Sequence, residues 1–199
     1  ILDLRPDNSF IRYCLEQGHT TFVVSWVNPD PEHSQKTFED YLQEGVLDVL
    51  DQIEKITHEK QCNVIGYCLG GTLLAIALSY LTAKDQADRV ASATFLTTLI
   101  DFSESGDLKL FMDDAQLQAM DQEMAEKGVL GARNLQRTFS LLRANDLIWS
   151  FVVNNYLMGK EPFPFDLLYW NDDSTNMPAA MHSFYLRKMY RENQLTKPG

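Results

Sequence analysis

The sequence predicts an α/β fold, with a parallel sheet core followed by a mostly helical insertion. Three observations carry this. Residues 21 to 98 read strand, helix, strand, helix, strand. A glycine-rich turn joins the second strand directly to the helix after it. After Asp101 the strand signal fades and helical, aromatic segments take over. Alternation of this kind implies right-handed crossovers and a parallel sheet covered on both faces. Sites in such sheets lie at the carboxyl ends of the strands.

The elements follow from local chemistry. Residues 7 to 17 read as a short helix, capped by Asp7 or Asn8 and ended by Gly18. TFVVSW, residues 21 to 26, is β-branched and aromatic, as a buried strand should be, and Asn28-Pro29-Asp30-Pro31 breaks it. Thr37 with Asp40 forms a capping-box start. Phe38, Leu42, Val46, Val49, Leu50 and Ile53 then recur at helical spacing, on a helix with an acidic outer face. CNVIGY, residues 62 to 67, is the second strand, residues 70 to 83 an apolar buried helix, and VASATFLTT, residues 90 to 98, the third strand.

In the second half, Leu117, Met120 and Met124 share a helical face that Gly128 ends. Residues 145 to 158 start at Asn145, a cap candidate, and stop at Gly159. EPFPFD is an extended link, and Pro178 opens a last helix. The sequence divides into a core over residues 1–103 and a helical cap over residues 104–199.

Lys and Arg number 17 against 28 Asp and Glu, a formal charge of -11. That balance argues against a non-specific nucleic-acid binder, which needs a cationic face. No apolar run reaches the roughly 18 residues of a membrane span. Cys14, Cys62 and Cys68 make no disulfide framework or zinc-finger spacing, which fits a reducing cytosol and predicts no structural metal; no cofactor is expected. The chain opens on Ile1, with no signal peptide, and closes on NQLTKPG, so it reads as an internal piece of a longer protein.

The sharpest chemical feature is Gly66-Tyr67-Cys68-Leu69-Gly70-Gly71. It follows a strand and opens a helix, the context of the nucleophile elbow G-x-S-x-G, with Cys in the Ser position. Gly66 and Gly70 are expected to remove side chains that would clash at a tight turn. The Leu69 N–H can then face a developing oxyanion, while the helix start favours the thiolate. The competing reading is a glycine-rich turn around a structural cysteine. Cys14 and Cys62 lack such a setting and read as packing residues.

A cysteine nucleophile needs a base. His19 sits at the wrong end of the sheet, His58 ends a charged helix, and His182 reads as packed or lining the cap. His33 is on the right side but too early in the chain for a base that such folds place after the last strands. Asp101 could face the site or simply cap its loop. Asn28 and Asp30, after the first strand, are candidates to shape a pocket, or a turn that ends the strand.

On the strength of ILDLRP, FVVSWVNPD, GYCLGGT, LTTLIDF, the run from Leu141 to Asn171 and the run from Asp173 to Tyr190, the chain resembles polyhydroxyalkanoate synthases over essentially its whole length. The class I type, which makes poly(3-hydroxybutyrate), is the nearest in look. The resemblance implies an α/β-hydrolase-type sheet core, present in part, with a mobile cap that takes part in homodimer contact. It implies an acyltransferase that polymerises 3-hydroxyacyl-CoA, with the growing chain held on Cys68 as a thioester. Leu69 N–H would be one oxyanion donor. The family's Asp and His would lie beyond Gly199, so this piece alone is expected to be inactive. The second oxyanion donor would lie upstream of Ile1. The family usually carries a basic residue where this chain has Val27. By the same resemblance the protein would work in the cytoplasm, at the surface of polyester granules. A Cys-dependent thioesterase or esterase is the alternative that the elbow alone leaves open.

Overall fold

A computed structural model describes residues 1–106, 113–142, 144–162 and 166–198. Phe163 and Phe165, in the link expected from EPFPFD, lie outside the described residues.

The chain opens with a small antiparallel hairpin, β1 (Asp3–Arg5) and β2 (Asn8–Ser9), turning at Pro6-Asp7. Helix α1 (Phe10–Glu16) follows. Its cap is Ser9, whose hydroxyl accepts from the Arg12 N–H at 2.9 Å, not the expected Asp7 or Asn8. Those two residues serve the hairpin, which occupies the place read as the start of the helix. Gly18, at φ +84°, ends the element as expected.

The expected first strand does not form. Residues 21–30 make no ladder among the described residues, and Val23 and Val27 are 61% and 74% exposed. A β-rich composition says only that a segment fits a pleated, half-buried surface. Here no strand lies beside it to supply the other half of the ladder.

Helix α2 (Phe38–Leu42) begins with the expected capping box: Asp40 accepts from Thr37 N–H at 2.7 Å, and Thr37 Oγ1 from Asp40 N–H at 3.2 Å. A π-helical turn, Gln43–Leu47, joins it to α3 (Asp48–Thr57). The wider turn has a function in the packing. Buried Leu42 and Leu47 are five apart, a spacing that π winding holds on one face. The Trp26 ring lies on this turn, tilted against Tyr41 with ring centroids 4.9 Å apart, and a Cβ on Gly45 would stand 1.7 Å from it.

Strand β3 (Cys62–Tyr67), helix α4 (Leu69–Ala83) and strand β4 (Val90–Leu96) form the expected strand–helix–strand unit. β3 and β4 are parallel, with Val64 opposite Ala93 and Tyr67 opposite Leu96. The sheet has these two strands rather than three, and exposed Ile65 and Phe95 show that its faces are not fully covered. Nor is α4 buried all round: Leu73, Ala77 and Leu81 form a buried stripe at i, i+4 spacing, while Tyr80 is exposed.

The second half contains α5 (Asp114–Lys127), β5 (Val129–Leu130), α6 (Ala132–Leu142), two π-helical stretches (Asn145–Trp149 and Val152–Leu157), α7 (Asp166–Asp172), β6 (Met177–Pro178) and α8 (Ala179–Phe184). Leu117 and Met124 are buried on the expected face of α5, and Gly128 ends it at φ +75°. Asn145 is not a cap: Ala144 before it is already helical, so no helix starts there. Trp170 to Asp173 close α7, with Ser174 Oγ donating to Asn171 O at 2.6 Å. α8 continues as a π-helical segment, Tyr185–Arg191.

The two halves share one core. Phe38, Leu42, Leu47 and Leu50 meet Leu73, Ala77 and Leu81 of α4, together with Phe102, Met181 and Met189. Each buried Leu contributes roughly 1.5–3 kcal/mol. Beside this core, His182 is 4% exposed, and its Nδ1 has no hydrogen-bond partner. Burial pushes its pKa down to about 4, against the pull of Asp121 across the seam on α5. Despite partial burial, the Ser183 hydroxyl and the Arg187 guanidinium hold the Asp121 carboxyl below its ordinary range.

The folded state therefore holds His182 neutral, while the unfolded chain protonates it near pH 6.5. This contribution is complete above pH 6.5 and lost as pH falls toward 4. Urea midpoints measured from pH 7.5 to 4 are expected to fall less steeply in His182→Leu than in the parent.

Candidate active site

Cys68 occupies the sharp turn between β3 and α4. Its backbone sits at φ 51°, ψ -120°, where a non-glycine residue is strained. Such strain persists only where the surroundings over-determine it, and they do so here. The Cys68 N–H donates to Leu96 O at 2.9 Å, carrying the parallel ladder one step past the end of β3. Its carbonyl accepts from Gly71 N–H at 2.9 Å and Thr72 N–H at 3.2 Å, closing the first turn of α4. The thiol itself is exposed.

Two glycines make the turn possible. A Cβ on Gly66 would stand 2.5 Å from Gly71 Cα, and one on Gly71 would stand 1.9 Å from Thr98 Oγ1. The crowded pair is thus Gly66 and Gly71. Gly70, expected from the motif to relieve a clash, would meet nothing within 4 Å. It lies on the open side of the helix start, where no neighbour approaches. Leu69 is the first residue of α4, so its N–H is among those a helix leaves without an intrahelical acceptor. That is the chemistry an oxyanion donor requires.

The floor of the elbow is the loop after β4. Thr72, 1% exposed, donates its hydroxyl to Leu99 O at 2.7 Å, and Thr98 fills the space beside Gly71. Beside it stand Tyr185 and Tyr190, with ring centroids 5.2 Å apart, and Phe102 of the same loop lies 4.8 Å from Tyr190. Burial raises the Tyr185 hydroxyl pKa, and the neighbouring Tyr190 and a Cys68 thiolate add to the rise. Burial likewise raises Tyr190, opposed by its hydrogen bond with Tyr185 and helped by Cys68. The two phenols therefore stay protonated within electrostatic reach of the thiol.

In the sequence these tyrosines stand out only as part of the aromatic-rich half that follows Asp101. Residues five apart diverge by about 140° on an α-helix. The π winding of Tyr185–Arg191 brings them together, and no periodicity rule based on 3.6 residues finds that.

The other candidates are engaged elsewhere. Asn28 Oδ1 accepts from Asn176 N–H at 2.8 Å, and Asn176 donates to Pro29 O at 2.9 Å. Asp30 caps the short 3₁₀ turn Pro31–His33, with His33 Nδ1 2.7 Å from Asp30 Oδ1. His58 is the left-handed cap of α3. Cys62 is half-buried, and burial raises its thiol pKa despite nearby Arg89. Asp101 accepts from Ser103 N–H and from Asn193 Nδ2, both at 2.8 Å, as a loop cap does. Among the described residues, no group of three His, Cys, Asp or Glu is arranged to hold a metal ion.

The glycines separate in their expected effects. Gly66→Ala and Gly71→Ala should each destabilise by about 1–3 kcal/mol through overpacking. Gly70→Ala should be neutral or stabilise by about 0.4–1 kcal/mol. Urea unfolding of the three variants checks this order.

The model of the alpha/beta hydrolase fold family matches residues 5–192. The poly(3-hydroxyalkanoate) polymerase subunit PhaC of Rhizobium meliloti is 52% identical over 99% of this chain and 32% of its own length. The poly(3-hydroxyalkanoate) polymerase of Methylorubrum extorquens is 53% identical, with the same coverage of 99% and 32%. The PhaC subunit of Cupriavidus necator is 42% identical over 100% of this chain and 34% of its own length. The chain thus spans about a third of the length of the curated relatives it matches. With a strained cysteine elbow between parallel strand and helix, and a family match that runs almost end to end, the chain belongs to the alpha/beta hydrolase fold family, and it is similar throughout to poly(3-hydroxyalkanoate) polymerases.

Proposed function

We propose that Cys68 is the nucleophile of an acyltransferase that polymerises 3-hydroxyacyl-CoA into polyhydroxyalkanoate. The observation that carries this reading is the exposed Cys68 thiol on its strained turn, in a chain similar throughout to polymerases. In the first step a base takes the thiol proton and Cys68 Sγ attacks the thioester carbonyl. The carbonyl carbon–sulfur bond to CoA breaks, and CoA leaves as the thiol with that proton. In the second, the 3-hydroxyl of a chain or monomer attacks the acyl-Cys68 thioester. An ester bond forms, the Cys68 carbon–sulfur bond breaks, and the thiol is restored with the hydroxyl proton.

Cysteine suits this exchange. Replacing one thioester by another is close to thermoneutral, so the acyl group stays activated for the hydroxyl. In this reading the Leu69 N–H, at the start of α4, stabilises the oxyanion. Water must be kept out, or hydrolysis competes. The aromatic cluster beside the elbow, with Phe102 buried and Tyr185 and Tyr190 partly buried, supports that exclusion.

In this reading residues 104–199 are a cap over the core. The base and its acid partner come from the part of the longer relatives that this chain does not span, so these 199 residues alone release no CoA. Exposed Trp149, Tyr156 and Tyr169 give the cap an apolar outer surface, suited to a second copy or to the polyester granule in the cytoplasm. Among the described residues, no helix is long and apolar enough to cross a membrane.

The test uses the complete protein with 3-hydroxybutyryl-CoA, following CoA release and product mass. The expected outcome is CoA release with high-mass polyester, and loss of both in Cys68→Ala. Free 3-hydroxybutyrate as sole product would make the protein a thioesterase. Polymer formation undiminished in Cys68→Ala would remove Cys68 from the mechanism.

A further inference from the structure

Asn193 links the loop after β4 to the helical segment that carries the tyrosines. Its backbone is left-handed, at φ 48°, a conformation asparagine tolerates better than most residues. Its N–H donates to Met189 O at 2.9 Å, closing the segment that carries Tyr185 and Tyr190. Both ends of its side chain are committed to the loop after β4. Oδ1 accepts from the Phe102 N–H at 2.9 Å, and Nδ2 donates to Asp101 Oδ1 at 2.8 Å.

That loop is also what the elbow rests on. Leu96 O receives the Cys68 N–H, Thr98 fills the space beside Gly71, and Leu99 O receives the Thr72 hydroxyl. A continuous path of hydrogen bonds and close packing therefore runs from Cys68 through residues 96–102 to Asn193. Phe102, 1% exposed, packs edge-on against both tyrosine rings from the same loop. An amide fits the junction because it accepts from one neighbour and donates to the other.

We propose that Asn193 and Asp101 form a clasp that fixes the Tyr185–Arg191 segment against the nucleophile elbow, with Asn193 a positioning residue for the chemistry at Cys68. The clasp rests on the proposed acyl transfer only for its turnover readout. A carboxylate at position 193 would still accept from the Phe102 N–H but would face Asp101 as a like charge. Exchanging the two groups, with amide at 101 and carboxylate at 193, restores a donor opposite an acceptor.

The test compares Asn193→Asp, the exchanged pair Asp101→Asn with Asn193→Asp, and Asn193→Gly in the complete protein. Asn193→Gly permits the left-handed backbone while removing the side-chain amide, so it decides the question if Asn193→Asp does not fold. The rate of iodoacetamide alkylation at Cys68 is read by peptide mass, with Cys14 as internal reference, beside kcat and KM for 3-hydroxybutyryl-CoA. Asn193→Asp is expected to change the Cys68 rate about threefold or more relative to Cys14, and to lower kcat about tenfold with little change in KM, effects typical of coupled neighbours. Asn193→Gly shifts both in the same sense, and the exchanged pair returns both to within about twofold of the parent. A Cys68 rate that moves no more than that of Cys14, or an exchanged pair that restores nothing, overturns the clasp. A parent that makes no polymer removes the acyl-transfer reading instead, while the alkylation rates still decide the clasp.

Discussion

The backbone crossing at Cys68 is the constraint on which the rest of the site depends. A strand must turn into a helix within a single residue, and the chain passes so close to itself that Gly66 and Gly71 leave room for no Cβ. The left-handed Cys68 conformation alone would cost of order 1–3 kcal/mol. It is held because three backbone hydrogen bonds converge on that residue, from Leu96 O below and from Gly71 and Thr72 above. The result is a thiol lifted clear of the sheet, at the positive end of a helix, with free N–H groups beside it.

Everything around the elbow is arranged by the loop that follows β4. It supplies the acceptor for Cys68, the side chain that fills the space beside Gly71, and the carbonyl that holds Thr72. It also carries Phe102 into the shared core, where residues of both halves meet. The helical half is therefore fastened to the sheet beside the elbow, and Met181 and Met189 bury in the same core as Leu73 and Leu81 of α4. Polar bonds set the register of that seam, and apolar packing holds it closed.

Much of this was legible in the residues. The Thr37 capping box, the strand at 62–67, the helix after Cys68 and the stop at Gly128 are local events, decided by neighbours in sequence. The elbow was legible for the same reason. What could not be read depended on partners far along the chain. The TFVVSW segment has the composition of a strand but no ladder, because pairing is a property of two segments. Gly71 gained its importance from Thr98, and Asp101 its role from Asn193, 92 positions away. The tyrosine pair escaped for another reason: its five-residue spacing makes sense only once the helix winds as π, at Tyr185–Arg191 just as at Gln43–Leu47.

The exposed Phe22–Val27 stretch has a consequence beyond the site. It is uncharged and rich in valine and aromatic residues, and it contains no proline, which is the composition of a segment prone to intermolecular β-association. Immediately after it come Asn28, Pro29, Asp30 and Pro31. Two prolines that lack an N–H, with a carboxylate between them, interrupt any ladder that tries to extend in that direction. The same four residues that lead into the short turn at Pro31–His33 thus place ladder-breaking chemistry at the edge of an exposed, uncharged, β-rich segment.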